Sequence, residues 1–219
     1  MLMTLSEENY LKAIYNISTK TGEAVSTNLL AEAMETKASS ATDMIKKLAE
    51  KDFVNYKKYQ GVKLTKEGHL IAASIVRKHR LWEVFLVEKL NFSWDEVHEV
   101  AEQLEHIKSD KLIEELDALL DFPRVDPHGD PIPNKYGEIQ AKKKVPLSSL
   151  KVGEKGVCVG VKSTAKEFLQ YLDKIEISLG IELEIIEKEA FDGSVIVLYK
   201  DQQKNISAMA AANLYVRKT

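Results

Sequence analysis

The proline-rich run Asp126-Pro127-His128-Gly129-Asp130-Pro131-Ile132-Pro133 splits the chain into two textures. Proline has no amide donor and fixes φ, so no helix continues through such a run. Before it, apolar residues recur at helical spacing. From Val145 onward they fall into short β-rich runs, Gly156–Val161, Ile181–Ile186 and Ser194–Tyr199, with an amphipathic helix around Lys166–Leu172. The fold class predicted is α+β: an N-terminal winged helix-turn-helix, an all-helical region and a small C-terminal SH3-like β-barrel. The boundaries expected are 1–64, 65–133, a lysine-rich linker at 134–144, and 145–219.

Ser6 stands before the helical pattern Tyr10, Leu11, Ile14, Tyr15, Ile17 and is positioned to cap it, and Gly22 ends it. Ser26 or Thr27 opens a short helix through Leu29, Leu30 and Ala33. After Glu35-Thr36-Lys37 a second runs from about Ser39 to Lys51, with Ala41, Met44, Ile45 and Leu48 inward. The alternating runs Phe53–Tyr56 and Gly61–Leu64, joined by residues 57–60, predict a hairpin. A long helix is expected from Thr65 to Leu90. Ser93 and Glu96 form a capping box before a helix through Val97, Val100, Ala101, Leu104 and Ile107, and Ser109 begins another through Leu120.

The net charge is only −3, but it is unevenly spread. Lysines at 37, 46, 47, 51, 57, 58, 63 and 66 face only Asp43, Glu50 and Asp52, whereas ten acids between Phe92 and Asp121 face Lys108 and Lys111. One segment suits phosphate and the other a cation. Two helices, a short turn and a basic hairpin describe a winged helix, whose second helix enters the major groove of double-stranded DNA. Its candidate readers are Lys37, Ser39, Ser40, Thr42, Asp43, Lys46 and Lys47. Wing residues Lys57, Lys58, Tyr59 and Lys63 suit the phosphate backbone, which supplies affinity and register.

His98, Glu102, Glu105 and His106 share one helical face, and His79 and Glu83 form an i, i+4 pair on the preceding long helix. Gathering such carboxylates is unfavourable without a cation, so a divalent ion is expected to be linked to their approach. Oxygen and imidazole donors without sulfur favour Mn²⁺ or Fe²⁺, although Zn²⁺, Co²⁺ and other divalent ions can bind in vitro. Cys158, the one cysteine, lies between Val157 and Val159 and reads as a small buried hydrophobe, so thiolate zinc sites and intrachain disulfides are excluded.

Glu8-Asn9-Tyr10-Leu11-x-x-Ile14-Tyr15, Arg77-Lys78-His79-Arg80-Leu81-x-Glu83, Glu105-His106-x-x-Ser109-Asp110 and the run 126–133 resemble the diphtheria toxin repressor and manganese transport regulator family of metal-dependent transcription repressors. The resemblance spans the whole chain. It implies a helical metal and dimerisation domain after the winged helix and a FeoA-like SH3 domain at the C-terminus. It further implies a homodimer on operator DNA that controls metal-ion homeostasis, with Mn²⁺ the preferred cofactor. By position, a primary site would use Asn9, Glu102, Glu105 and His106, and an ancillary site His79, Glu83 and His98. Iron-type members carry a methionine where Asn9 stands and a cysteine where Glu102 stands. Manganese-type members carry an aspartate at Asn9 and a second carboxylate at Lys12, and this lysine argues against a two-metal cluster. Glu167 aligns with a glutamine ligand of the third domain, whose glutamate companion is replaced by Thr164.

The rival readings are a winged-helix regulator that senses another ligand and a carboxylate/His metalloenzyme. No His-Glu-x-x-His, Gly-x-Ser-x-Gly or phosphate-cradling glycine loop supports an enzyme. No stretch approaches the roughly 20 apolar residues of a membrane span, and the first residues lack a signal-peptide pattern. The expectation is a cytoplasmic protein without a membrane partner.

Overall fold

Thr4, not Ser6, caps the first helix, α1 (Leu5–Thr21), in the computed structural model, which describes residues 3–140 and 143–219. The Thr4 hydroxyl accepts from Glu7 N, and the Glu7 carboxylate accepts from Thr4 N at 2.9 Å. A hydroxyl alone does not fix a cap; the reciprocal glutamate three residues on does. Ser6 has Asn9 there. Gly22, at φ 73°, closes the helix as expected, because the left-handed conformation costs glycine nothing.

Ser26 caps α2 (Thr27–Ala33), and α3 (Ala38–Glu50) follows from Lys37. Strands β1 (Val54–Lys57) and β2 (Gly61–Leu64) form the antiparallel hairpin, and Val25 and Val62 exchange backbone hydrogen bonds at 2.9 Å. Leu11, Ile14, Leu30, Ala41, Ile45, Leu48 and Val62 are completely buried in one core, which explains their helical and alternating spacing. Each large side chain so buried stabilises by about 1.5–3 kcal/mol.

Helix α4 (Lys66–Leu90) starts beside Thr65, whose hydroxyl accepts from Gly68 N. Helix α5 (Val97–Leu104) is shorter than its apolar pattern predicts. Ile107 N turns to Leu104 O at 3.1 Å, a tightened last turn, so Glu105 and His106 sit just beyond the helix. Helix α6 (Asp110–Leu119) begins at Ser109, which accepts from Leu112 N. Within 134–144, Asn134 Oδ1 accepts from Tyr136 N and Glu138 N in a tight turn.

The C-terminal region is a six-stranded antiparallel sheet of SH3-like type in the order β3-β8-β4-β5-β6-β7. Its strands are β3 (Val145–Pro146), β4 (Lys155–Val161), β5 (Glu182–Lys188), β6 (Val195–Tyr199), β7 (Gln202–Ile206) and β8 (Leu214–Lys218), with α7 (Lys166–Lys174) and α8 (Ala208–Asn213). Only β4, β5 and β6 were legible as strands. The edge strand β7 is polar except for buried Ile206, and β3 is two residues long. Cys158 lies in the core beside Leu169, Leu183 and Val216, and burial pushes its thiol up to about 11, only partly offset by Gly160 N–H.

The chain divides into two compact units. One holds Met1–Trp82, Ala101–Ala118 and Ile132–Ile139; the other holds Glu83–Val100, Leu119–Pro131 and Gln140–Thr219. Among the described residues no helix is long and apolar enough to cross a membrane.

Glu7 ties the first unit together. It is fully buried, and its carboxylate meets Lys51 at 2.6 Å and Lys47 at 3.2 Å on α3. Burial raises its pKa, but Lys51, the Thr4 amide and Lys47 together hold it at about 2, below the ordinary 4.5. Glu7→Gln is expected to lower stability by about 1.5–3 kcal/mol at neutral pH, the range for hydrogen bonds to charged groups. Because the folded pKa is depressed, that contribution is complete above pH 4.5 and is lost as pH falls towards about 2. Denaturant titrations of both proteins across this range should show the difference closing.

Candidate functional site

In the first unit, α1 meets the end of α5 through opposite charges. Lys12 Nζ lies 2.7 Å from Glu105 Oε1 and 3.3 Å from Glu102 Oε1. Glu105 is completely buried, and its Oε2 also meets His79 Nδ1 at 2.6 Å and Lys12 Nζ at 2.9 Å. Burial raises the Glu105 pKa, but His79 and Lys12 outweigh it and keep the carboxyl below its ordinary range. One turn before Lys12, Glu8 accepts from His106 Nδ1 at 2.6 Å. Asn9 Oδ1 is buried without a hydrogen-bond partner. Glu105 Oε1 makes no hydrogen bond either: the ammonium beside it is close but badly angled. His106 Nε2 stands 3.8 Å from that oxygen. Asn9 Oδ1 is thus left as a buried acceptor without a hydrogen bond, which is costly unless a further partner binds it, whereas Glu105 Oε1 has the Lys12 ammonium as its counter-charge.

In the second unit, Glu83, Asp126 and His128 are all buried, and one donor atom from each lies within 4.8 Å of the others. Glu83 belongs to α4; the other two belong to the proline-rich run. Asp126 Oδ1 accepts from His128 N at 2.8 Å and Asp130 N at 3.0 Å, closing the loop on itself. His128 Nε2 lies 2.8 Å from the Trp94 carbonyl, which can only accept, so this nitrogen carries a proton and Nδ1 faces the carboxylates. A carbonyl that orients the far nitrogen is the usual outer partner of a metal-binding imidazole. Nδ1 stands 3.6 Å from Glu83 Oε2 and 4.0 Å from Asp126 Oδ1. Burial pushes the His128 pKa down, but Glu83, Asp126 and the Trp94 carbonyl outweigh it and raise it to about 9. Without a metal the imidazolium is therefore the counter-charge to two carboxylates, which otherwise repel by about 3 kcal/mol at 5 Å and an effective dielectric of 20. A metal and that proton compete for Nδ1.

The loop is fixed to the SH3-like sheet. Val161 N donates to His128 O at 2.9 Å, and Gly129, at φ 82°, lies so close that a Cβ would stand 2.1 Å from Val159 O. Trp94 stacks on His128 and donates to Asp173, and Gln170 donates to Asp95.

His98 is exposed and its Nδ1 approaches Glu83 at 3.4 Å. His79 lies one turn before Glu83 on α4, with Nδ1 on Glu105. Glu167, exposed on α7, stands outside the groups of three or more donors found among the described residues.

On the nucleic-acid side, Lys37, Ser39, Ser40, Asp43, Lys46 and Lys47 are exposed along the first turns of α3. Thr42 is half-buried and its hydroxyl donates to Ala38 O at 2.7 Å, which leaves its oxygen free only to accept. Lys46 approaches Asp43 at 3.6 Å, and Lys47 is shared with Glu7. At the wing tip Lys57, Lys58 and Lys63 are exposed, and Tyr59 is 93% exposed with the Lys58 ammonium 5.1 Å from its ring centre. A large aromatic held in water at φ 66° has no packing role.

Three family descriptions match in series. "Iron dependent repressor, N-terminal DNA binding domain" covers residues 1–62, "Iron dependent repressor, metal binding and dimerisation domain" residues 65–134, and "FeoA domain" residues 145–218. The chain is 38% identical over 114 residues to an uncharacterised HTH-type transcriptional regulator of Methanocaldococcus jannaschii, covering 52% of this chain and 91% of that one. The HTH-type transcriptional regulator MntR of Oceanobacillus iheyensis is 33% identical over 119 residues, 54% of this chain and 80% of its own. A solved manganese-dependent transcriptional repressor in complex with manganese superposes with a TM-score of 0.87 at 36% identity, covering 97% of this chain and all of that one. The chain belongs to the iron-dependent repressor family. This family comprises metal-dependent, DNA-binding transcriptional repressors, not enzymes.

Sequence reasoning about this repressor missed Asp126, His128 and Glu8 as site residues. The proline-rich run was read for what it ends, although Asp-x-His two residues apart was itself the signal. In this repressor Gly129→Ala should force the loop off Val159. We expect a loss of about 1–3 kcal/mol from overpacking, with faster amide exchange at Val161, readable by denaturant unfolding and hydrogen-exchange NMR.

Proposed function

We propose that this repressor binds operator DNA as a homodimer when loaded with Mn²⁺ or Fe²⁺, and thereby controls genes of metal-ion homeostasis. The observation that carries this reading is the buried trio Glu83, Asp126 and His128, whose imidazole is oriented for ligation by the Trp94 carbonyl. His98, beside Glu83, and His79, one turn away on α4, are further donors for that centre. A second centre would draw on Asn9, Glu105 and His106, with Glu102 at its edge. Hard oxygen and imidazole donors favour Mn²⁺ and Fe²⁺ among the ions available to a cell; the Cys158 thiol is buried and its pKa is raised to about 11. When bound, the ion supplies two positive charges that make close approach of these carboxylates favourable.

Lys37, Ser39, Ser40 and Asp43 would read bases at the start of α3, with Lys46 and Lys47 beside them. Lys57, Lys58, Tyr59 and Lys63 would hold the backbone. In the second centre Asn9 belongs to α1 and Glu105 and His106 to the end of α5, so ligation there would hold the DNA-binding helices against the helical segment. An ion that binds this arrangement more tightly than the open one shifts the population towards DNA binding.

Chelator-stripped protein should bind its operator weakly, and added Mn²⁺ or Fe²⁺ should restore binding in a mobility-shift titration. Equal affinity with and without metal would refute the reading. Asp126→Ala and His128→Ala should each weaken Mn²⁺ binding by at least about tenfold, the lower end for oriented metal-site partners, as measured by calorimetry. Glu105→Ala or His106→Ala should likewise blunt the metal response. Lys58→Ala should weaken binding to all sequences alike and reduce the slope of log affinity against log salt by about 1.

A further inference from the structure

The wing tip holds an aromatic ring in water, and it does so in a strained conformation. Strands β1 and β2 pair from Val54–Leu64 up to Lys57–Gly61, and Gln60 N closes the tip on Lys57 O at 3.0 Å. Tyr59, the third residue of this turn, has φ 66°, a left-handed conformation that glycine or asparagine adopts readily and a bulky side chain does not. Its side chain is 93% exposed. The Lys58 ammonium lies 5.1 Å from the ring centre, but an exposed cation–π contact is weak and offsets the strain only in part. The base of the wing is braced: Val25 and Val62 exchange backbone hydrogen bonds at 2.9 Å, and a Cβ on Gly61 would stand 2.7 Å from Val25 O. The ring is thus carried on a paired frame. Phosphate does not account for it. Lys57, Lys58 and Lys63 around the tip are exposed and supply the positive charge that phosphate needs. The face of an aromatic ring is electron-rich and repels phosphate, whereas sugars and base edges offer apolar surface to the ring and acceptors to the hydroxyl.

We infer that Tyr59 is a specificity-determining residue of this repressor, a ring that enters the minor groove beside the bases read by α3 and favours A·T over G·C pairs there. The inference rests on the reading that α3 and the wing lie on DNA. Strand β1 follows α3 directly and packs against it. With α3 in the major groove, the hairpin crosses the phosphates that bound that groove. Beyond them is the minor groove, about 6 Å wide, which admits a flat ring edge-on. At A·T pairs its floor shows only acceptors, adenine N3 and thymine O2, to which the Tyr59 hydroxyl can donate. At G·C pairs the guanine amino group projects into the space the ring needs. The flanking lysines reinforce the choice, because the narrow minor groove of A·T tracts carries the more negative potential. The ring therefore adds sequence information outside the bases that the helix touches, while the lysines add affinity alone.

The test uses the full-length protein with Mn²⁺ and duplexes that it isolates from a random-sequence pool, with affinity read by fluorescence anisotropy. The pool selected by the wild-type protein should carry A·T-rich flanks beside its core sequence, and the pool selected by Tyr59→Ala should keep the core and lose the flanks. Replacing those flanks with G·C should weaken the wild-type protein about tenfold, within the range for one mismatched pair, and leave the alanine variant unchanged. Tyr59→Phe, which keeps the ring, should lose less affinity than Tyr59→Ala; equal losses mark a hydroxyl on phosphate and overturn the inference. Tyr59→Gly, which relieves the left-handed strain, should unfold at the same or a higher temperature yet bind as weakly as the alanine variant. A lower unfolding temperature with affinity retained marks a structural ring and overturns the inference. Flank-independent binding by the wild-type protein also overturns it, and leaves the wing on DNA if Lys58→Ala still lowers the salt dependence. If Lys58→Ala leaves the salt dependence unchanged, both readings fall.

Discussion

A carboxylate removed from water needs a positive partner within a few ångströms, and three such carboxylates organise this protein. Glu7, Glu83 and Glu105 are each at most 2% exposed. Each finds its counter-charge on a different element: Glu7 on the lysines of α3, Glu105 on Lys12 and His79, Glu83 on His128. Leaving any one unpaired would cost several kcal/mol, so these pairs fix which helices and loops can lie together. What differs among them is the kind of counter-charge. A lysine is permanent. An imidazolium can be exchanged for a metal ion, and that exchange is where a sensor can work.

Helix α1 carries two of these arrangements within the first unit. Successive residues near its start face different ways: Glu7 holds Lys47 and Lys51 of α3, while Glu8 holds His106 just past α5. One helical turn further, Lys12 holds Glu102 and Glu105. A rigid, well-capped helix with ion pairs on both faces transmits displacement without loops to absorb it. The proline-rich loop plays the corresponding part in the second unit. Its backbone is closed by Asp126, bonded to β4 through His128 O, and packed without clearance at Gly129, so its donors are presented on a fixed frame.

Much of this was legible in the residues. The helix-turn-helix, the hairpin, the long helix, the end of the helical region at residues 126–133 and three of the six strands of the C-terminal sheet follow from periodicity and breakers. The departures have local causes. Thr4 and Ser6 are equivalent as hydroxyls and are separated only by the reciprocal glutamate. The apolar pattern of α5 continues to Ile107, but the chain tightens at Leu104 and carries Glu105 and His106 on the following turn. Strand β7 has little apolar alternation because, among the described residues, one of its edges has no neighbour and it contributes mainly backbone pairing.

The sequence by itself determined the fold class, the family and the donor types, because apolar period, proline placement and short motifs are properties of neighbouring residues. Tertiary structure decided which donors meet. His79 and Glu83, grouped through their i, i+4 spacing, each offer a donor within 4.8 Å of one from His98, and the Nδ1 of His79 also sits on Glu105; Asp126 and His128, read as part of a chain break, converge on Glu83. Helical spacing specifies only the face of one helix. The partner of a buried charge is set by what packs against that face, and desolvation makes that choice binding.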